Sequence, residues 1–251
     1  MSEQNQMSLW EHIFELRKRV IYVLILFLVS VAAGFYFAPA VINYLKLQEV
    51  AQSVDWVVIN LTDAFKVYIQ FAMSLGIVIT FPFALYQIWA FISPGLTPKE
   101  RKVTLAYIPG GILLFLVGLS FGYFWLFPFV VKFMMGISQQ LNAQELYGMK
   151  EYFSFLFSLI LPFGFLFQMP LLMFFFTRLG LLNPYLLRKI RKYAYFILFV
   201  IAAIITPPDI LSHLFVTFPL ILLYEISIWL SSIAFRKVQA SREEEIEQTI
   251  E

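Results

Sequence analysis

The sequence predicts an all-α integral membrane protein: six transmembrane helices kinked by proline, with both termini on the inner side of the bilayer. Three observations carry this prediction. The chain of 251 residues is 61% hydrophobic and 19% aromatic, with only 14% charged residues, which sets it apart from soluble domains. Six stretches, at about 20–37, 65–92, 103–127, 152–177, 193–206 and 210–235, are predominantly apolar. A helical span needs ~20 such residues, because unpaired backbone groups are costly in lipid; a β-barrel would instead alternate apolar and polar residues. Finally, 14 of the 18 Lys and Arg residues fall in alternate segments. They are Arg17, Lys18 and Arg19; Lys99, Arg101 and Lys102; Arg178, Arg188, Lys189, Arg191 and Lys192; and Arg236, Lys237 and Arg242. Cytoplasmic segments retain Lys and Arg, so this bias places both ends inside.

Taken in order, the N-terminal segment reads as a short amphipathic surface helix, with Ser8 and Glu11 at capping-box spacing and Leu9, Trp10, Ile13 and Phe14 on one face. After span one, residues 40–50 suggest a second interfacial helix, and Asp63 is expected to cap span two. The inner loop carries Ser93-Pro94-Gly95 as a turn, then Thr97, Pro98 and Glu100 as the cap that opens span three. Span three is expected to kink near Pro128 and continue outside through Lys132. Asn183-Pro184 repeats the cap-and-proline signal in the next inner loop.

Span five is short: the 14 residues between Lys192 and Pro207 make ~21 Å of helix against ~30 Å of hydrocarbon. Thr206-Pro207-Pro208-Asp209 then turns the chain back. Residues 1–238 read as one six-span domain and 239–251 as a charged, solvated and disordered cytoplasmic tail. Prolines 82, 109, 128, 162, 170 and 219 predict bent helices and a curved wall. No internal repeat is visible.

Composition also excludes functions. A net charge of +2 gives no reason to expect a nucleic-acid partner; the absence of cysteine removes thiolate chemistry; His12 and His213 cannot form a His-rich metal site. No hydrolase, metalloprotease or phosphate-loop motif is present, so neither an enzyme nor a cofactor is expected.

Polar residues within apolar spans are costly unless paired or hydrated, which singles out Gln168 and Glu225, each about mid-membrane. Glu225 is expected to be protonated, hydrogen-bonded to a neighbouring span or facing water. Its structural reading is interhelical glue; its functional reading is a binding or proton-linked role. Asp209 reads as the cap of span six. On the inner face, Glu15 is spaced to pair with Arg19 at i,i+4 and Glu100 to close its capping box; the functional alternative is that both carboxylates meet a cationic ligand.

Several motifs then occur in order: His12-x-x-Glu15-Leu16-Arg17-x-Arg19; Pro82-x-x-x-Tyr86-Gln87-x-Trp89-Ala90-Phe91-Ile92-x-Pro94; Glu100-Arg101; Tyr123-Phe124 and Phe127-Pro128; Tyr152-x-x-Phe155, Phe163-Gly164 and Pro170; and Thr206-Pro207-Pro208-Asp209. As an ordered set on six spans, this resembles the TatC family, the multi-spanning component of the twin-arginine protein translocase, along nearly the whole chain except the acidic tail. The resemblance implies a glove-like concave bundle in the cell membrane that receives twin-arginine signal peptides at its cytoplasmic face. Glu15 and Glu100 would meet the two arginines, and Leu16, Arg17, Phe91, Pro94 and Leu96 would shape the surface. It further implies single-span TatA/TatB-type partner subunits, export of folded proteins driven by the proton gradient, and self-association within a complex. Many family members carry glutamate where this chain has Gln168; an amide keeps the hydrogen-bonding capacity without a titratable proton, so any titrating role passes to Glu225. The competing expectation is a proton-coupled small-molecule transporter with a mid-membrane Gln168/Glu225 site; a structural scaffold is a third.

Overall fold

The computed structural model describes residues 9–52, 56–96, 101, 104–140, 146–206 and 210–250. Almost all of the described residues are helical, as expected where backbone donors and acceptors must be satisfied within the segment. The first helix departs from the expected three pieces. Helix α1 runs unbroken over Leu9–Lys46, so surface helix, span one and the start of the outer helix are one rod of 38 residues, ~57 Å long. No proline interrupts it before Pro39, and Pro39 is accommodated inside the helix. A single turn, α2 (Glu49–Gln52), follows, and β1 (Trp56–Val57) pairs in parallel with β2 (Tyr147–Gly148), tying together two loops that lie far apart in sequence.

Helix α3 spans Asp63–Ile92 and passes through Pro82. Asp63 does not cap it. The preceding residue, Thr62, occupies the cap position without a side-chain bond, and Asp63 Oδ2 instead accepts from the Asn60 backbone N–H at 2.8 Å. The carboxylate therefore fixes the turn leading into the helix. At the far end, Ser93–Gly95 form a tight helical turn, as the Ser-Pro-Gly signal suggests.

The third apolar run is α4 (Tyr107–Phe121), a wide turn at Gly122–Leu126, and α5 (Phe127–Gln140). In the wide turn the Phe127 N–H reaches back to Gly122 O, five residues earlier. The expected irregularity near Pro128 thus takes the form of one extra residue per turn: proline supplies no donor and its ring crowds the preceding turn, and the wider turn relieves both. The helix continues beyond Lys132, as expected.

The fourth run breaks where the sequence gives no apolar gap. Helix α6 (Met149–Leu166) and α7 (Met169–Arg178) meet at Phe167–Gln168. Pro170 lacks the N–H that would bond Leu166 O, and the Gln168 N–H closes a tighter bond to Phe165 O at 3.0 Å. Helix α7 ends on Gly180, whose φ of 73° allows Leu181 N–H to bond Phe176 O at 2.9 Å and Gly180 N–H to bond Thr177 O at 3.0 Å. Helix α8 (Pro184–Lys189) opens as the sequence indicates, with the Asn183 side chain accepting from Tyr185 N–H at 2.9 Å. Helix α9 (Arg191–Ile205) has only 15 residues, and α10 (Ile210–Ile250) continues through the charged segment after Phe235.

Five of these helical runs are long and apolar enough to cross a membrane: 10–46, 63–95, 107–140, 149–178 and 211–240. They leave large apolar side chains such as Leu24, Leu28, Leu113, Leu172 and Trp229 uncovered, as lipid-facing walls do. Ser and Thr within them return their hydroxyls to carbonyls one turn back, among them Ser74, Thr177, Thr217 and Ser227.

The chain forms two compact units, one within Met1–Ile112 and Leu146–Ser154, the other within Leu113–Glu145 and Phe155–Glu251. In the first, α1 packs on α3 around buried Val67, Phe71 and Ala72, and Phe153 closes the end, stacked on Trp56 and edge-on to Phe71. The helices touch so closely that a Cβ at Gly34 would stand 2.7 Å from Ala72 O. In the second, α10 packs on α7 through a buried Thr177–Ser231 hydroxyl pair at 2.7 Å.

Gly34→Leu is expected to cost about 2 kcal/mol or more, seen as a lower unfolding temperature in detergent. Gly136→Ala in α5, with nothing within 4 Å of the new Cβ, is the control and should leave that temperature unchanged or slightly raised.

Candidate functional site

Helices α1 and α3 run antiparallel, since the partners pair in opposite order: His12 with Phe91, Arg19 with Gln87, Gly34 with Ala72. That arrangement brings the N-terminal charges of α1 against the C-terminal end of α3. Arg19 is the link. Its Nε and Nη2 donate to Glu15 Oε1 at 3.1 and 2.5 Å, and its Nη1 donates to Gln87 Oε1 at 3.0 Å. The Glu15–Arg19 pair is the i,i+4 bond expected from spacing; the bond to Gln87, 68 residues away, is not visible in the spacing. Gln87 is buried and so holds Arg19 at a defined place.

Two turns earlier, the His12 ring stacks on Phe91 with centroids 4.2 Å apart. Around this contact, Leu16 and Arg17 face outward on α1, Phe91 and Leu96 are half-buried and Pro94 is exposed. Nearby, Trp89 Nε1 donates to Thr104 Oγ1 at 3.1 Å and the Arg101 guanidinium lies 5.9 Å from the Trp89 ring centre. A groove of about 470 Å³ runs along one face of α1, lined by Glu11, Phe14, Glu15, Lys18, Arg19 and Tyr22. Contact between α1 and α3 therefore sets the segment carrying Glu15, Leu16 and Arg17 against the end of α3 that carries Phe91, and Pro94 and Leu96 follow Phe91 in the next turn. Glu100 lies outside the described residues, as do Thr97 and Pro98. Arg19, Gln87 and His12 carry the junction. All three belong to the ordered motifs, but only contact across helices distinguishes them.

In the second unit, Glu225 on α10 is held by α9. Arg191 Nη2 donates to its Oε2 at 2.6 Å and Tyr195 Oη to its Oε1 at 2.5 Å. Arg191 and Tyr195, four residues apart on one helical face, grip a single carboxylate. Tyr224 beside it donates to Leu187 O at 2.9 Å. Of the readings open for Glu225, bonding to a neighbouring helix is what the molecule adopts. Its partner is a cation, and the pair is partly exposed, at 42% for the arginine and 35% for the glutamate side chain. Gln168 is buried at the α6–α7 break. Asp209 lies outside the described residues. Among the described residues, no group of three His, Asp or Glu side chains could hold a metal ion.

Bilayer-length apolar helices, inward-turned hydroxyls and charges gathered near helix ends define a multi-pass α-helical membrane protein. The family described as Sec-independent protein translocase protein (TatC) matches residues 11–219. The translocase protein TatCy of Bacillus subtilis strain 168 is 58% identical over 94% of this chain and 93% of its own, and TatC of Halalkalibacterium halodurans is 50% identical over 94% and 93%. A crystal structure of the twin-arginine translocase receptor TatC matches with a TM-score of 0.81 at 36% identity, covering 89% of this chain and 99% of that one. The chain belongs to the TatC family, and it is a translocase component rather than an enzyme.

Replacing Glu225 by Gln keeps an acceptor for Tyr195 and loses the ion pair, at an expected cost of about 1 kcal/mol. Glu225→Lys sets two cations together and should lower thermal stability in detergent much further. Adding Arg191→Glu should recover part of that loss.

Proposed function

We propose that this chain is the signal-peptide receptor and core of a twin-arginine translocase in the cytoplasmic membrane. Six spans cross the bilayer with both termini inside, α9 being the short fifth span, and the lysine and arginine bias supports that orientation. The observation that supports the binding site is the Glu15 carboxylate held by Arg19 where α1 meets the end of α3, with Leu16 and Arg17 facing outward next to it on the same helix. A carboxylate takes a guanidinium through two parallel N–H donors, which suits a ligand with paired arginines. Glu15 and Glu100 receive the two arginines; Leu16, Arg17, Phe91, Pro94 and Leu96 form the surrounding surface.

Single-span TatA/TatB-type subunits and further copies of this chain complete the complex, which exports folded proteins on the proton gradient. Gln168 and Asp209, with Glu225 through the α9–α10 pair it ties together, are the intramembrane polar positions assigned to contact with those partners. The small-molecule carrier reading gains no support: both Glu225 oxygens are engaged by α9, and the family is one of protein translocases.

Glu100→Ala, and more weakly Glu15→Ala, should abolish photocrosslinking of a twin-arginine peptide in membranes while protein level and thermal stability are retained. A peptide with paired lysines should be recovered poorly in a pull-down on the parent protein. Undiminished crosslinking in both variants would remove the site assignment.

A further inference from the structure

We propose that Arg19 is a resident competitor for the guanidinium that Glu15 receives, and that exchange against it makes the site select arginine over lysine. This rests on the receptor role of Glu15 given above. Both contacts from Arg19 converge on one carboxylate oxygen, Oε1, from Nε and Nη2. A bidentate pair would place one donor on each oxygen. The second oxygen, Oε2, is enclosed and accepts no hydrogen bond. An enclosed carboxylate oxygen without a donor is unfavourable, so the carboxylate is half-used and receptive to a second donor group.

The groove beside it offers the way in. Glu11 stands one turn before Glu15 on the same face, and the rings of Phe14 and Tyr22 line the same wall. A planar cation entering there meets the Glu11 and Glu15 carboxylates and the Phe14 ring, while Lys18, the other cation lining the groove besides Arg19, lies 5.8 Å from the centre of the Tyr22 ring. Its fork reaches Oε2 with one N–H and contests Oε1 with the other. Arg19 can yield without being stranded, because Gln87 Oε1 accepts from its Nη1 and its side chain is 22% exposed. No covalent bond is made or broken in this exchange, and every group keeps its proton. An ammonium is a point charge with no planar fork, so it cannot fill Oε2 and replace two donors on Oε1 in one geometry. Arg19 therefore weakens binding of any cationic side chain, and weakens lysine most.

The test uses the full chain in lipid nanodiscs and two fluorescent peptides identical except for paired arginines or paired lysines, with affinity read by anisotropy. In Arg19→Gln the lysine peptide should bind about tenfold more tightly and the arginine peptide gain less, so that their affinity ratio collapses. Arg19→Lys keeps the charge but loses the fork, and should lower the ratio by about threefold; it also guards against misfolding of the glutamine variant. Lys189→Gln, which removes a cation on α8, should leave the ratio unchanged. An unchanged ratio in both Arg19 variants, equal weakening of both peptides, or the same shift in Lys189→Gln overturns the proposal. Glu15→Gln separates the two levels. If it binds both peptides like the parent, the receptor reading of Glu15 fails; if it weakens binding while the Arg19 variants leave the ratio intact, only the competitor role fails.

Discussion

The constraint behind this structure is that backbone N–H and C=O groups in hydrocarbon have no water to turn to. It forces the apolar runs into helices, and departures from a regular helix are repaired locally. At Gly122–Leu126 the chain widens by one residue ahead of Pro128 and closes the Phe127 N–H onto Gly122 O. At Phe167–Gln168 it tightens instead, ahead of Pro170. Where α7 stops, Gly180 adopts a left-handed conformation and carbonyls of the last turns are bonded. Hydroxyls of Ser74, Thr177, Thr217 and Ser227 bond within their own helices. What is left to specify the packing is small-residue contact, as at Gly34 against Ala72, and a few polar links.

Two carboxylate–guanidinium pairs, Glu225–Arg191 across α9 and α10 and Glu15–Arg19 within α1, differ in a way that bears on function. Glu225 has both oxygens engaged, one by Arg191 and one by Tyr195, so it joins α9 to α10 as a closed unit. Glu15 has one oxygen crowded by Arg19 and one without a donor, beside a groove. The first geometry suits holding a short helix in place. The second suits receiving something. Mid-membrane polarity draws attention to Glu225, yet Glu15, ordinary by its spacing, has the more receptive geometry.

Much of the site is legible in the sequence because it depends on spacing along one helix. Glu15 with Arg19, and Asn183 with its proline, are local patterns that survive folding unchanged. Asp63 shows the limit of such patterns: the residue lies at the start of α3 as expected, but its carboxylate serves the Asn60 turn, a choice between two nearby N–H groups that sequence does not distinguish. The continuity of α1 is likewise hidden, because a change from charged to apolar residues looks like a boundary although nothing there breaks a helix.

By itself, the sequence determined that this is a membrane protein of long apolar helices and which residues before the first apolar run and after the second are candidates for binding. These follow from composition and helical period, which are properties of one segment at a time. Of its prolines, Pro128 and Pro170 accompany irregular turns while Pro82, Pro162 and Pro219 lie inside continuous helices. Tertiary structure alone decided that Arg19 reaches Gln87, that Arg191 and Tyr195 hold Glu225, that His12 lies on Phe91, and that two distant loops join through Trp56 and Tyr147. Those pairs depend on the rotation and register of one helix against another, which packing sets and no single segment encodes.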